Sequence, residues 1–440
     1  MAQRRSFADF MVDSFGDAVD AQAARGRAGL SRAILMSGFR VVRAQTSHFP
    51  EKARPRWGQL AAKVALRDMV GPLEHPERAV LASVFFPTEL LRSAGLSPYC
   101  AEAVSGFVAA ARAEQGFVAA AEQGGVAETY CSYHKALLGA AELDVLQAPV
   151  MAACCSLACD ANSLTFKTLA RRWGCPHAYV DVPYEADADA MAYVADQLHE
   201  VAATLADLGH PVDEGVLRDT CATSLASLRA LWAALPARRA DRYQANAMGQ
   251  EMQAALALHL SLGTPDVRDM CEALGEEPTL PFGGVSLVWM HTTPFFQEPL
   301  QELLDANPRC QVCVSDMCYD VPDPSETPLP DPSADPFAFM AARLVHDAYG
   351  GPSRHRIERV RRLVRETGAD GVVCFCQWGC KQTLGASQLI KGELEGAGIP
   401  TLVLEGDGCN RANTSNGQVA TRMGAFVEML RARKGAEGSR

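Results

Sequence analysis

The chain has 440 residues, of which 48% are hydrophobic and 21% charged, and a formal net charge of −11. That length and composition predict a globular protein of two or three domains, and the acidic balance without any Lys/Arg run argues against a nucleic-acid partner. No stretch approaches the roughly 18–20 apolar residues of a membrane span, and "MAQRRSFADFMVDSFGDAVDAQAARG" lacks the apolar core of a signal peptide, so a cytoplasmic protein without a membrane partner is expected.

Residues 1–75 carry apolar residues at three- and four-residue spacing and predict an N-terminal helical segment. From 76 to 185 strand-like runs alternate with helical ones: "RAVLASVFFP" (78–87), "PVMAACC" (149–155) and "HAYVDVP" (177–183), with helices at "TELLRSAGL" and "LTFKTLARRWG". Residues 186–279 are Ala- and Leu-rich helices with almost no strand signal. The alternation resumes over 280–440 with "GGVSLVWM" (283–290), "CQVCVSD" (310–316), "DGVVCFC" (370–376) and "PTLVLEG" (400–406), closing on the helix "VATRMGAFVEMLRAR". The Pro- and Asp-rich stretch 320–336 predicts a long loop. The fold class expected is α/β: two Rossmann-like (flavodoxin-like) parallel-sheet units with helical segments before and between them.

Fifteen cysteines in a reducing compartment do not form a disulfide framework. Cys100, Cys175, Cys221 and Cys271 are isolated and read as small buried hydrophobes. The others cluster. Cys131 opens "CSYHK"; Cys154, Cys155 and Cys159 stand in "CCSLACD"; Cys374, Cys376 and Cys380 stand in "CFCQWGCK"; Cys409 stands in "EGDGCNRAN". Each patch falls at or beyond the carboxyl end of a predicted strand, where open parallel sheets place their ligands. A cleft between the two units would therefore gather thiolates suited to an iron–sulfur cluster, with Cys131, Cys159 and Cys380 the first candidates, one from each patch. Three thiolates in place of four leave one iron open. No compact Cys-x₂-Cys-x₂-Cys run is present; zinc remains an alternative from the residue types, and buried idle thiols are the bland one.

His134 and Lys135 are candidates to hydrogen-bond a cluster sulfide or protonate a substrate, against a solvated helix start. Gln377, Trp378 and Lys381 flank the third patch, with Trp378 placed to shield a cluster from water. Glu89, after a strand-ending proline, is a candidate general acid, against helix capping. Cys310 and Cys313 fall on opposite faces of one strand, and Asp316 and Cys318 beyond it are candidates to line a substrate cavity. The sequence contains neither a G-x-x-x-x-G-K-[S/T] phosphate loop nor a G-x-G-x-x-G fingerprint, so neither ATP hydrolysis nor dinucleotide binding is expected.

The stretches "FFPTELLRSAGLSP", "CSYHKALLG", "CDANSLTFKTLARRWGCPHAYVDVPYE", "VSDMCYD" and "IPTLVLEGDGCNRANTSNGQVATRMGAFVEML" resemble the 2-hydroxyacyl-CoA dehydratase family, which includes benzoyl-CoA reductase-like and double-cubane-cluster proteins. The resemblance implies a cubane held by Cys131, Cys159 and Cys380, and a separate ATP-hydrolysing iron–sulfur activator that delivers low-potential electrons. The extra cysteines, above all those of "CFCQWGCKQTLG", are most similar to the double-cubane branch. That branch implies an [8Fe-9S] cluster with a second trio, Cys155, Cys376 and Cys409, while Cys154 and Cys374 are expected to point away. The function so implied is the catalytic component, a homodimer, of an ATP-dependent reductase of a small molecule. The alternatives are a dehydratase subunit with one [4Fe-4S] cluster, eliminating water through a ketyl radical, and a non-catalytic cluster carrier.

Overall fold

The computed structural model describes residues 7–294 and 297–437. Strands β1 (Ala79–Ala82), β2 (Ser97–Tyr99), β3 (Met151–Cys155) and β4 (His177–Val180) form one parallel sheet, ordered β2-β1-β3-β4. Strands β5 (Val285–Met290), β6 (Cys310–Ser315), β7 (Gly371–Gln377) and β8 (Thr401–Gly406) form a second, ordered β6-β5-β7-β8. Both sheets are α/β units of the same winding. In each, the chain reverses direction between the first and third strands, which opens a crevice at their carboxyl ends.

β3, β5, β6 and β7 are buried along their whole length, the continuous apolar pattern of parallel strands covered on both faces. Residues alternate between two cores. Cys154 packs on one side of β3 and Cys155 on the other; along β7, Val373 and Phe375 share one core while Val372, Cys374 and Cys376 share the other. Cys374 and Cys376, two apart on β7, face the same way. Cys310 and Cys313 do fall on opposite faces of β6.

β1 ends at Ala82, short of the predicted Pro87. β2, three residues including Pro98, has no hydrophobic pattern to announce it. Helices Phe7–Ala24, Ala28–His48 and Arg56–Glu74 precede the first sheet. Four more, Ala188–Asp207, Glu214–Ala233, Met248–Ser261 and Pro265–Leu274, lie between the sheets in sequence. Asp187 and Asp213 cap the first two of these, accepting from Ala190 N at 2.8 Å and Val216 N at 3.0 Å. The stretch after β6 has no long helix until Pro336–Val345, capped by Asp335. Among the described residues no helix is long and apolar enough to cross a membrane.

Candidate metal centre

Cys131, Cys159 and Cys380 each occupy the residue before a helix: Ser132–Glu142, Asp160–Trp173 and Lys381–Gly396. A side chain at that position ordinarily accepts a hydrogen bond from a first-turn amide. Cys100 does so, its thiol accepting from Ala103 N at 3.4 Å. None of the other three thiols caps its helix. All three instead line one enclosure, a narrow cavity of about 50 Å³. Three helix N-termini therefore converge on it, each contributing a partial positive charge that favours thiolate ligands.

The remaining wall comes from loops at the carboxyl ends of both sheets: Val84 and Phe85 beyond β1, His291 and Thr292 beyond β5, Met317 beyond β6, Gln377 and Gln382 at the end of β7. Glu102, Tyr133 and His134 come from the helices between β2 and β3. Burial, then repulsion from Cys159 and Cys380, pushes the Cys131 thiol well above its ordinary value; burial also raises Cys159, with Glu102 and Cys380 adding to it. Burial thus disfavours the thiolate form of Cys131 and Cys159, a cost that a cationic group bound among them would offset.

Two imidazoles face the same space in their neutral forms. Burial lowers His134 to about 4, and burial with the nearby Arg356 charge lowers His291 to about 3. His134 Nε2 lies 3.7 Å from Cys159 Sγ and 4.0 Å from Glu102 Oε1. His134 Nδ1, Glu102 Oε2 and both ring nitrogens of His291 are buried without a hydrogen-bond partner. Buried polar atoms left so are rare in folded proteins, and their concentration here marks a place for a polar guest.

Asp407, fully buried in the loop after β8, holds the loops together. Its carboxylate accepts from Ser132 Oγ at 2.5 Å, Gln377 Nε2 at 2.9 Å, Asn413 Nδ2 at 2.8 Å, and the amides of Cys409 and Asn410 at 2.8 and 2.9 Å. Gly379 closes the seam. It sits at φ +76°, and a Cβ there would lie 2.6 Å from the backbone nitrogen of Cys131, so glycine is needed both for the dihedral and for the approach.

The other sequence candidates are dispersed. Cys155, Cys376 and Cys409 are buried but do not line the enclosure. Cys155 Sγ lies 3.7 Å from Ser83 Oγ, Cys376 packs beneath β7, and Cys409 packs beside Cys131 with its thiol directed at Ser105 O. Lys135 points away, to Glu122 Oε1 and Glu128 O, each at 2.7 Å. Glu89 is fully buried, held by Arg343 at 2.8 Å and by Ser224 Oγ at 2.8 Å. Trp378 is largely exposed beside the site, its Nε1 3.5 Å from Glu128 O. Lys381 is exposed on a neighbouring pocket. Gln377 lines the enclosure, and its Oε1 accepts from Gly408 N at 2.6 Å. Asp316 is paired to Arg356 at 2.7 Å, and Cys318 donates toward Glu251 O; neither lines the enclosure.

Glu102, His291 and Asp407 were missed. His291 and Asp407 directly follow strands β5 and β8, so the strand-end rule applied to the cysteines would have found them; Glu102 carried no signal.

Two parallel-sheet units whose strand ends and helix N-termini surround a thiol-lined enclosure define a class of α/β protein built to hold a group between its halves. The chain belongs to the family of the 2-hydroxyglutaryl-CoA dehydratase D-component, whose model matches residues 83–430. A comparison with curated protein sequences returned no match. Proteins of this family are components of activator-dependent dehydratase and reductase systems, work with a separate ATP-dependent activator, and are generally iron–sulfur proteins. The residues present fit such a group: three uncapped thiols, convergent helix N-termini, and buried polar atoms without partners. They do not form a closed single-ion cage. Among the described residues no three His, Cys, Asp or Glu side chains are placed to hold one metal ion, which with thiolate ligands would need sulfurs roughly 3.8 Å apart.

Proposed function

We propose that this chain is the iron–sulfur catalytic component of an activator-dependent system, holding one cubane through Cys131, Cys159 and Cys380 and working on a small molecule in the same enclosure. The observation that carries the reading is that Cys131, Cys159 and Cys380, from three separate stretches of the chain, are the cysteines that line that enclosure. Bound there, the cluster would supply low-potential single electrons, received from the activator, and an iron open to a substrate oxygen.

The chain's own residues do the rest. Phe85, Val84 and Met317 keep the space apolar and exclude water. His134 and His291, neutral at physiological pH, are in place to donate a hydrogen bond to an acceptor on the substrate. Glu102, whose carboxyl burial raises, is suited to hold a proton beside His134. On a 2-hydroxyacyl thioester the outcome would be loss of water; on a substrate without that hydroxyl, reduction.

A second reading, the double-cubane reductase, is favoured by the lie of the extra thiols: Cys409 packs beside Cys131, and Cys155 and Cys376 each precede a first-trio cysteine by four residues. Iron and acid-labile sulfide counted per chain in anaerobically purified protein separate the two. About four irons support the single cubane and about eight the double, while iron-free protein sinks both. Cys376→Ser and Cys409→Ser should leave the iron count unchanged under the first reading and halve it under the second. A cluster that accepts electrons from activator and ATP without turning over any substrate would favour a carrier.

A further inference from the structure

A second pocket, about 320 Å³, opens beside the enclosure and shares two wall residues with it, Tyr349 and Gln382. Its chemistry is different. Arg356 and Lys381 line it, and no carboxylate does, in a chain whose net charge is −11. Lys381 makes no ion pair among the described residues. Arg356 is buried at 2% exposure. Its Nε donates to Asp316 Oδ2 at 2.7 Å, its Nη1 to Gln382 Oε1 at 3.0 Å, and its guanidinium stacks 4.3 Å from the centre of the Tyr349 ring. Its remaining nitrogen, Nη2, is buried with no hydrogen-bond partner. The N-termini of two long helices, Arg354–Thr367 and Lys381–Gly396, meet at the same pocket, and Ser353 leaves the first uncapped by any side chain.

A buried guanidinium N–H without an acceptor, an unpaired ammonium and two positive helix ends, with no acidic residue in the wall, describe an oxyanion site. We infer that this pocket binds the carboxylate of a small organic substrate, with Arg356 and Lys381 as its anchors, while the substrate's reacting end enters the enclosure past Tyr349 and Gln382. Tyr349 and Gln382 connect the two: each touches the guanidinium on one side and lines the thiol enclosure on the other. The inference rests on the proposed function for the identity of the reacting centre, not for the anion site itself. Asp316 fixes the Arg356 fork before any ligand arrives.

The test is calorimetric titration of anaerobically purified full-length chain with sodium butyrate, sodium phosphate and the neutral butyramide. Butyrate is expected to bind once per chain and butyramide not at all. Lys381→Gln should weaken butyrate by about tenfold. A Cβ at Gly385 meets nothing within 4 Å, so Gly385→Glu places a carboxylate in the pocket without displacing its wall and should abolish binding, while Gly385→Gln stays within about threefold of the parent. Equal losses in the two Gly385 variants, or butyrate binding indifferent to Lys381→Gln, would overturn the site. Phosphate binding without butyrate binding would mean a free-anion site and overturn the substrate assignment. Iron is counted on the same samples. Iron present with no butyrate binding defeats this inference alone; butyrate bound by iron-free chain defeats the cluster reading alone.

Discussion

The two sheets have the same strand order and wind the same way, yet they furnish the enclosure unequally. Cys159 and Cys380 are equivalents: each is the residue before the helix that follows the third strand of its sheet. Cys131 has no counterpart. It comes from the helices inserted between β2 and β3, as do Glu102 and His134. The second unit supplies His291 and, through Asp407, the bonds that fix the loops. A repeated scaffold thus gives a symmetric pair of thiols, and the β2–β3 connection of the first unit supplies the third.

The largest expected effect tests that equivalence. Cys159→Ser and Cys380→Ser should each remove nearly all bound iron from anaerobically reconstituted protein, and to the same extent. Retention of iron by one and not the other would break the symmetry.

The next concerns the join between the halves. Glu89, on the short helix after β1, is paired to Arg343 of the Pro336–Val345 helix, with both side chains buried. Glu89→Ala leaves a buried cation uncompensated and should cost about 3–5 kcal/mol in chemical denaturation, with iron per folded chain unchanged. A large loss of turnover in a chain of normal stability would instead restore Glu89 as a general acid.

Gly379→Ala should cost about 3 kcal/mol through the left-handed dihedral and the clash with the Cys131 backbone, read as a lower denaturation midpoint. A neutral result would mean that the seam between the units has room to give.

The smallest effect is a slope with pH. His259, on the helical section, pairs with Asp320 of the second unit at 2.8 Å. Burial opposes its charge, but the Asp320 carboxylate outweighs this and raises it to about 9. A folded value above the unfolded 6.5 means stability fully present below about pH 6.5 and lost as pH climbs through about 9. Asp347, raised by burial and by Asp320, adds in the same direction. The melting temperature should fall over that window, and His259→Gln should flatten the fall.

The strands that carry the site were legible because they are continuous apolar runs ending at Pro, Gly or polar residues; β5 to β8 lie within a residue or two of their predicted bounds. β2 was not, since Ser97–Tyr99 is held by its pairing with β1 rather than by any pattern of its own. At the site, Cys159 and Cys380 stand where the strand-end rule looks, after β3 and β7; Cys131 follows the helix Glu114–Gln123 and no strand precedes it directly. Alternation alone does not separate Cys374 from Cys376, which share one face of β7. Glu102 lay beyond reach because its relevance comes from burial and from a helix that turns it toward His134, which no local spacing records.

The three thiols that line the enclosure are far apart in the chain. Cys131 and Cys380 are more than half the chain's length apart, and they belong to units that are complete only when their own sheets have formed. A group bound by all three would act as a clasp, removing freedom from the unfolded chain on the scale of a crosslink that closes a loop of about 250 residues, roughly 5–6 kcal/mol. Loading would have to wait for the last third of the chain to fold. An oxidant that destroys the cluster would unfasten the two halves in the same event, so that oxygen damage would read out as loss of fold as well as loss of electrons.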